Sequence, residues 1–303
     1  MTVVVVLALL ASLLYGASDF LGALSARRLT VIRASTAIYL AGTATGAIAL
    51  LTLPWAYSDR ALWAGTIAGL FAIVGMVTFY AALAIGPMSL LAPLIALIQT
   101  AIPVIGAAIL GQSLRPVAWV AVALALIATT LISIPTRPST PDTKAARISA
   151  RGGMLALVSG ITLGLSVVSL DTAPSDSGVF PAFLDLAAGL VVLLPLLAVR
   201  RLRVSDGWLK GGSAAATEVA RSPRTDARSW VASAVGGVLL GVGNILLVLA
   251  LHGGNLAVVA VLVSLYPLAT VILARLVLRE RMSLLQFVGV ALAIVAAVLL
   301  GTA

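Results

Sequence analysis

The chain has 303 residues, 61% of them hydrophobic and only 10% charged, with a formal net charge of +9. Soluble domains carry about a quarter charged residues, so this composition, with its mean hydropathy of +1.18, excludes an ordinary soluble domain. The absence of cysteine removes disulfides, thiolate metal sites and cysteine nucleophiles together, and a single histidine argues against a structural zinc site.

Ten apolar stretches follow one another, each close to the ~20 residues that cross a ~30 Å hydrocarbon core as helix. The alternating pattern of an outer-membrane barrel is absent, and helices and barrels are the two ways to satisfy a backbone in lipid. Span 1 is expected at about 3–25. Its Met1-Thr2 start lacks a basic n-region, which makes a signal peptide the weaker reading. Within it lies the unusual run Leu13-Leu14-Tyr15-Gly16-Ala17-Ser18-Asp19-Phe20, and Arg27, Arg28 and Arg33 close it. Span 2 (about 34–53) stops at Pro54, and span 3 (about 61–84) follows a loop with Asp59 and Arg60. Spans 4 and 5 are expected at about 88–110 and 114–134.

Residues 135–151 hold three prolines and four basic residues with little that is apolar, which reads as the linker between two halves, 1–134 and 152–303. Span 6 (about 152–170) leads to an acidic turn with Asp171 and Asp176, and span 7 (about 179–199) carries Asp185. The polar segment 200–229 is expected to stay mobile, because it has too little apolar surface to offset its ordering entropy. Spans 8, 9 and 10 (about 230–251, 256–278 and 283–302) complete the second half.

The two halves repeat. The stretch from Gly65 to Ser133 returns 168 residues later as Ser233 to Gly301, setting Gly69 on Gly237, Gly75 on Gly243, Gly86 on Gly254 and Leu110 on Leu278. Gly160 and Gly164 fall on Ser12 and Gly16 at an offset of 148. Small residues repeating at one offset are harder to obtain by chance than apolar matches. An odd number of crossings per half turns the second copy over. The expected fold is therefore an all-α integral membrane protein of ten transmembrane helices in two inverted five-helix repeats, with solute handled near the midplane.

Gly42/Gly46, Gly65/Gly69, Gly160/Gly164 and Gly237/Gly241 are small-xxx-small pairs that let helices approach closely. Pro93, Pro103 and Pro267 sit inside spans 4 and 9, where a missing hydrogen bond permits a hinge for gating. A carboxylate at mid-bilayer costs on the order of 2.5–3.5 kcal/mol on insertion scales, so Asp19 and Asp185 are expected to face a bundle interior or a wet cavity. Tyr15, Ser18, Asp19, Tyr80, Gln99, Asn244, Ser264 and Tyr266 are the candidate cavity-lining residues for substrate binding and translocation. Helix bridging is the competing role for the uncharged ones. Asp19 could instead pair with Arg275 at the same rim.

No Walker A, Gly-x-Gly-x-x-Gly, Gly-x-Ser-x-Gly or His-Glu-x-x-His occurs. No catalytic residues, no metal and no cofactor are expected, and the basic residues, lying between spans without interleaved aromatics, argue against a nucleic-acid partner. An integral-membrane enzyme, built on Asp171, Asp176, Asp185 and His252, and a non-transporting membrane scaffold are the alternatives to a transporter.

The pattern resembles the drug/metabolite transporter superfamily, specifically its ten-helix EamA-type proteins. Pro267 followed by Glu280, within Tyr266-Pro267 and Leu278-Arg279-Glu280-Arg281-Met282, is similar to that family's end-of-ninth-helix signature, and Tyr15-Gly16-Ala17-Ser18-Asp19-Phe20 to its helix-1 motif. The first half departs, with Gln99 where the proline stands and Gln112 where the glutamate stands. The resemblance implies a secondary transporter, commonly exporting metabolites, amino acids or drugs, in the cytoplasmic (inner) cell membrane. Its partners are then a small-molecule solute and lipid, and its state a monomer or homodimer. A carboxyl held from water is a natural proton carrier, which makes Asp19 the candidate for proton coupling; uncoupled facilitated diffusion is the competing account.

Of the nineteen Lys and Arg, only Arg60 and Arg115 fall on the side opposite the loops after spans 1, 3, 5, 7 and 9. The positive-inside rule makes the basic side cytoplasmic and both termini external, whereas the resemblance implies termini inside. A carboxy-terminal fluorescent fusion is expected to stay dark in the cytoplasm; a bright cytoplasmic fusion overturns the charge-based orientation.

Overall fold

The computed structural model describes residues 2–26, 28–85, 88–112, 115–133, 149–202, 223–278 and 283–302. Most of the linker at 135–151, most of the polar segment at 200–229, the connection at Gly86-Pro87 and the signature residue Glu280 lie outside them. Among the described residues the chain forms eleven α-helices and a single 3₁₀ turn, with no strand. The helices before the linker are α1 (Thr2–Ala26), α2 (Val31–Thr52), α3 (Asp59–Ile85), α4 (Met88–Ile109) and α5 (Pro116–Ser133). Those after it are α6 (Ala150–Asp171), α7 (Phe180–Leu202), α8 (Pro223–Gly253), α9 (Leu256–Val263), α10 (Tyr266–Leu278) and α11 (Leu284–Thr302).

Seven helices among the described residues are long and apolar enough to cross a membrane, and stretches of α4, α5 and α9–α10 form shorter apolar segments. The chain is an integral membrane protein. Local chemistry sets the ends of its helices. Thr30 accepts a hydrogen bond from Arg33 N at the start of α2, Ser149 one from Gly152 N at the start of α6, and Asn255 one from Ala257 N at the start of α9, each relieving an orphan amide of a first turn. Gly111, with φ of +76°, turns the chain out of α4. Gly178, with φ of +56°, sits so close to Pro54 O that a Cβ there would lie 2.2 Å from it. Beside that contact Trp55 stacks on Phe180 at 5.2 Å, tying the α2–α3 loop to the start of α7.

Span 9, in which Pro267 permits a hinge, is broken outright into α9 and α10 at Ser264 and Leu265. Pro267 is the cause: it has no N–H to offer Val263, and its ring crowds that carbonyl. The freed groups are taken up locally. Ser264 Oγ donates to Val261 O (2.8 Å), Leu268 N donates to Leu265 O (2.9 Å), and Thr129 Oγ1 of α5 donates to Ser264 O (3.5 Å). By contrast α4 runs unbroken through Pro93 and Pro103, and α7 through Pro195.

The most extensive helix pairings all join a helix before the linker to one after it: α1 with α8, α3 with α6, α5 with α11, α2 with α7 and α8, α3 with α7, and α4 with α6. The two halves therefore intertwine. Glycines make the approach possible. A Cβ on Gly69 of α3 would lie 2.1 Å from Asp185 O of α7, and one on Gly237 of α8 would lie 2.3 Å from Ile38 O of α2. Gly65 meets Pro181 O and Leu184, and Gly241 meets Gly42 O, at under 3 Å in the same sense. Backbone faces backbone at these points, so nothing flexible can move aside. Gly69→Ala is expected to destabilise the protein by roughly 1–3 kcal/mol, the usual cost of overpacking, read as a lowered thermal transition in detergent; an unchanged transition would show that α3 and α7 do not meet as described.

Candidate functional site

Six helices supply the residues that the sequence singled out, and the structure brings some of them together. Tyr15 Oη of α1 donates to Asn244 Oδ1 of α8 (2.9 Å). Asn244 Nδ2 donates in turn to Asp185 Oδ2 of α7 (2.7 Å) and to Ala182 O (3.1 Å). One asparagine thus ties three helices, using its acceptor on α1 and its donors on α7. The cluster is dry: Asn244 is 3% exposed and Asp185 7%. Gly243 permits it, because the Tyr15 ring lies 3.3 Å from where a Cβ at 243 would be. Asp185 Oδ1 has no hydrogen-bond partner among the described residues.

Asp19 is placed differently. The exposed apolar residues of α1, Val3, Val6, Leu10, Leu13 and Leu24, form one stripe that faces lipid. At about 100° per residue, Asp19 sits about 160° round the helix from that stripe, on the face of the buried Ala8 and Ser12. Asp19 is nevertheless exposed. It opens onto space between the helices, one turn beyond Tyr15 on the same face. Arg275 lies in α10, but its side chain is outside the described residues, as are those of Tyr80 and Pro93.

The remaining candidates are dispersed. Ser18 is buried in α1. Gln99 of α4 keeps a buried Oε1 without a partner among the described residues. Ser264 bonds its own helix at the α9–α10 break, and Tyr266 is half-buried at the start of α10. Pro103 is buried inside α4 and Pro267 opens α10.

Sequence reasoning missed a second polar junction. Gln112, in the turn after α4, donates from Nε2 to Asp171 Oδ2 at the end of α6 (3.1 Å) and accepts at Oε1 from Leu256 N at the start of α9 (2.8 Å). This gives the departure at Gln112 a physical reason. A glutamate there could accept from Leu256 N but would set a second carboxylate against Asp171. The signal was the uncharged amide itself, donor and acceptor at once. Next to this junction every residue of the short helix α9 is buried.

An apolar groove of about 470 Å³ runs between α4 and α5, lined by residues such as Val104, Ile105, Trp119 and Val122. It carries no polar side chain and lies apart from the polar cluster.

The sequence from 150 to 302 matches the EamA-like transporter family, which covers half of the chain. The chain belongs to that family. One solved crystal structure, 16% identical in sequence, superposes with a TM-score of 0.69 over 99% of this chain and 97% of its own. That likeness speaks for the shared fold alone. Comparison with curated proteins finds no match. The family match spans α6 to α11, so the Asp185–Asn244 pair lies within the matched region and Tyr15, Asp19 and Gln112 lie outside it.

In this EamA-family chain Asn244 is the hub of the cluster, which sets an order among variants. Tyr15→Phe removes one interhelical hydrogen bond, worth about 0.6 kcal/mol on average in membrane helices. Asn244→Ala also strips Asp185 of its donor and is expected to cost roughly 1–3 kcal/mol. Thermal unfolding in detergent checks the order; equal losses for the two variants would mean that Asn244 does not hold α7.

Proposed function

We propose that this EamA-family protein is a secondary transporter of small organic solutes, an exporter in the cell membrane, working by alternating access. The observation that carries the reading is Asp19, a carboxylate exposed on the inward face of α1 in a chain otherwise poor in charge. A charge on the lipid-averse side of a spanning helix belongs to a pathway rather than to packing. Tyr15, half-buried one turn from Asp19 on the same face of α1, lines the same path.

The plan of ten spans in two inverted five-helix repeats is supported by the helix partners. Let α1, α2, α3 and α5 correspond to α6, α7, α8 and α11, and α4 to the broken pair α9–α10. The pairing of α1 with α8 then maps onto α6 with α3, α2 with α8 onto α7 with α3, and α4 with α6 onto α9–α10 with α1. Glycine contacts obey the same map: Gly69 against Asp185 O answers Gly237 against Ile38 O, and Gly75 against Leu163 answers Gly243 against Tyr15. The polar cluster does not repeat, since Leu163 and Met76 stand where Tyr15 and Asn244 do.

Because the halves intertwine, neither half can rock as a body. The moving units are mixed, each holding helices from both repeats, with α1, α2 and α8 in one and α3, α4 and α6 in the other. The present conformation is closed at the Gln112 end, where α9 is sealed, and Asp19 meets the space that remains. Asp19 then binds the solute's positive group or the coupling proton, and Pro267 supplies the bend at which the gate closes.

Counterflow of a labelled amino-acid panel in proteoliposomes tests this, with and without a pH gradient, for wild type and Asp19→Asn. Exchange by the wild type and its loss, or loss of its gradient response, in Asp19→Asn are expected. Gradient-insensitive exchange that survives Asp19→Asn would remove Asp19 from the mechanism, and no exchange of any solute by the wild type would sink transport itself.

A further inference from the structure

Asp185 poses a problem that the transport reading leaves unsolved. Asp185 is 7% exposed where α7 meets α8, and Asn244 is the one polar partner of its carboxyl among the described residues. Asn244 donates to Oδ2, while the Tyr15 hydroxyl spends its proton on Asn244 Oδ1 and has none for Asp185. Oδ1 is left without a donor among the described residues. On the α3 side Gly69 lies against the backbone carbonyl of Asp185.

The groups facing this point are few. From α1 come Tyr15 and, one turn on, Asp19; from α2 comes Tyr39, whose ring lies against Gly189 of α7; from α8 comes Asn244. The charged residues of α3, Asp59 and Arg60, stand at its first turn, and those of α8, with His252, stand at its two ends. Arg33 opens α2, and Arg200 and Arg201 end α7. Among the described residues no lysine or arginine reaches the carboxyl. An ionised carboxylate closed off in this way needs a positive charge on its free oxygen.

We infer that Asp185 Oδ1 is a cation site, loaded with a small monovalent ion, a proton or sodium, and separate from the Asp19 side chain that opens between the helices. Its donor, Asn244, lies on α8 in the unit that holds α1, whereas Asp185 lies on α7, so motion of α7 against that unit changes the site and links its occupancy to the conformation. The coupling role rests on the transport reading; the occupancy does not.

The test reads occupancy without solute. An ion that binds the native state raises its thermal stability by mass action. Unfolding of the purified full chain in detergent is followed in sodium chloride against choline chloride at equal ionic strength, and across pH 5 to 9 in choline, for wild type, Asp185→Asn and Asp19→Asn. The expected result is a wild-type transition raised by sodium or by acid, the same response in Asp19→Asn, and its loss in Asp185→Asn. A sodium response identifies sodium as the ion and an acid response alone identifies the proton. Asp185→Ser replaces Asp185→Asn if the latter does not fold. A wild type indifferent to both ions overturns the proposal, as does a response that survives removal of the carboxyl. Counterflow failing in the wild type would sink the transport reading and leave this result standing.

Discussion

Close approach of backbone to backbone is what the rest of the structure depends on. Lipid tails are as apolar as leucine, so helices in a bilayer gain little from hiding apolar surface against each other and associate through dense packing instead. Glycine supplies that packing here. With Gly69 on Asp185 O and Gly237 on Ile38 O, helices of the two halves come within reach of each other's main chain, and the polar groups they carry are sealed in the process. Asn244 can bond Asp185 and Tyr15 together only because Gly243 lets α1 lie flat against α8.

The same packing divides polar residues into two kinds. Asp185 and Asn244 are locked into a dry junction whose hydrogen bonds hold helices in place. Asp19, with the same functional group as Asp185, meets open space. Chemical type alone does not tell these roles apart. Their separation depends on which face of which helix each one occupies, and on how close the neighbouring backbone comes.

That distinction marks how far the sequence could be read. The helices, the spacing of the glycines and the family were legible, because they rest on local hydrophobicity and on repeats within the chain. Pro267 was legible as a bend, although the extent of the break needed the sight of Ser264 O passing to Thr129. The partnership of Asp185 with Asn244 was not legible: the two lie 59 positions apart on different helices, and periodicity shows which face is inward without showing what it faces. Gln112 read only as a missing glutamate. Its meaning comes from Asp171 on one side and Leu256 N on the other, neither of which is near it in the chain.

The intertwined pairing also bears on how the protein is made. Tyr15 and Asn244 are separated by 229 residues, and at roughly 5–20 residues per second a ribosome needs on the order of tens of seconds to add that much chain. Until residue 150 is made, α1, α2 and α3 are in the bilayer without their partners α6, α7 and α8, and α1 waits longest, for α8 at 223–253. The early helices cannot complete a bundle of their own. Assembly is therefore a late event, and the nascent first half is an obligate intermediate that the membrane or an insertion factor has to shelter.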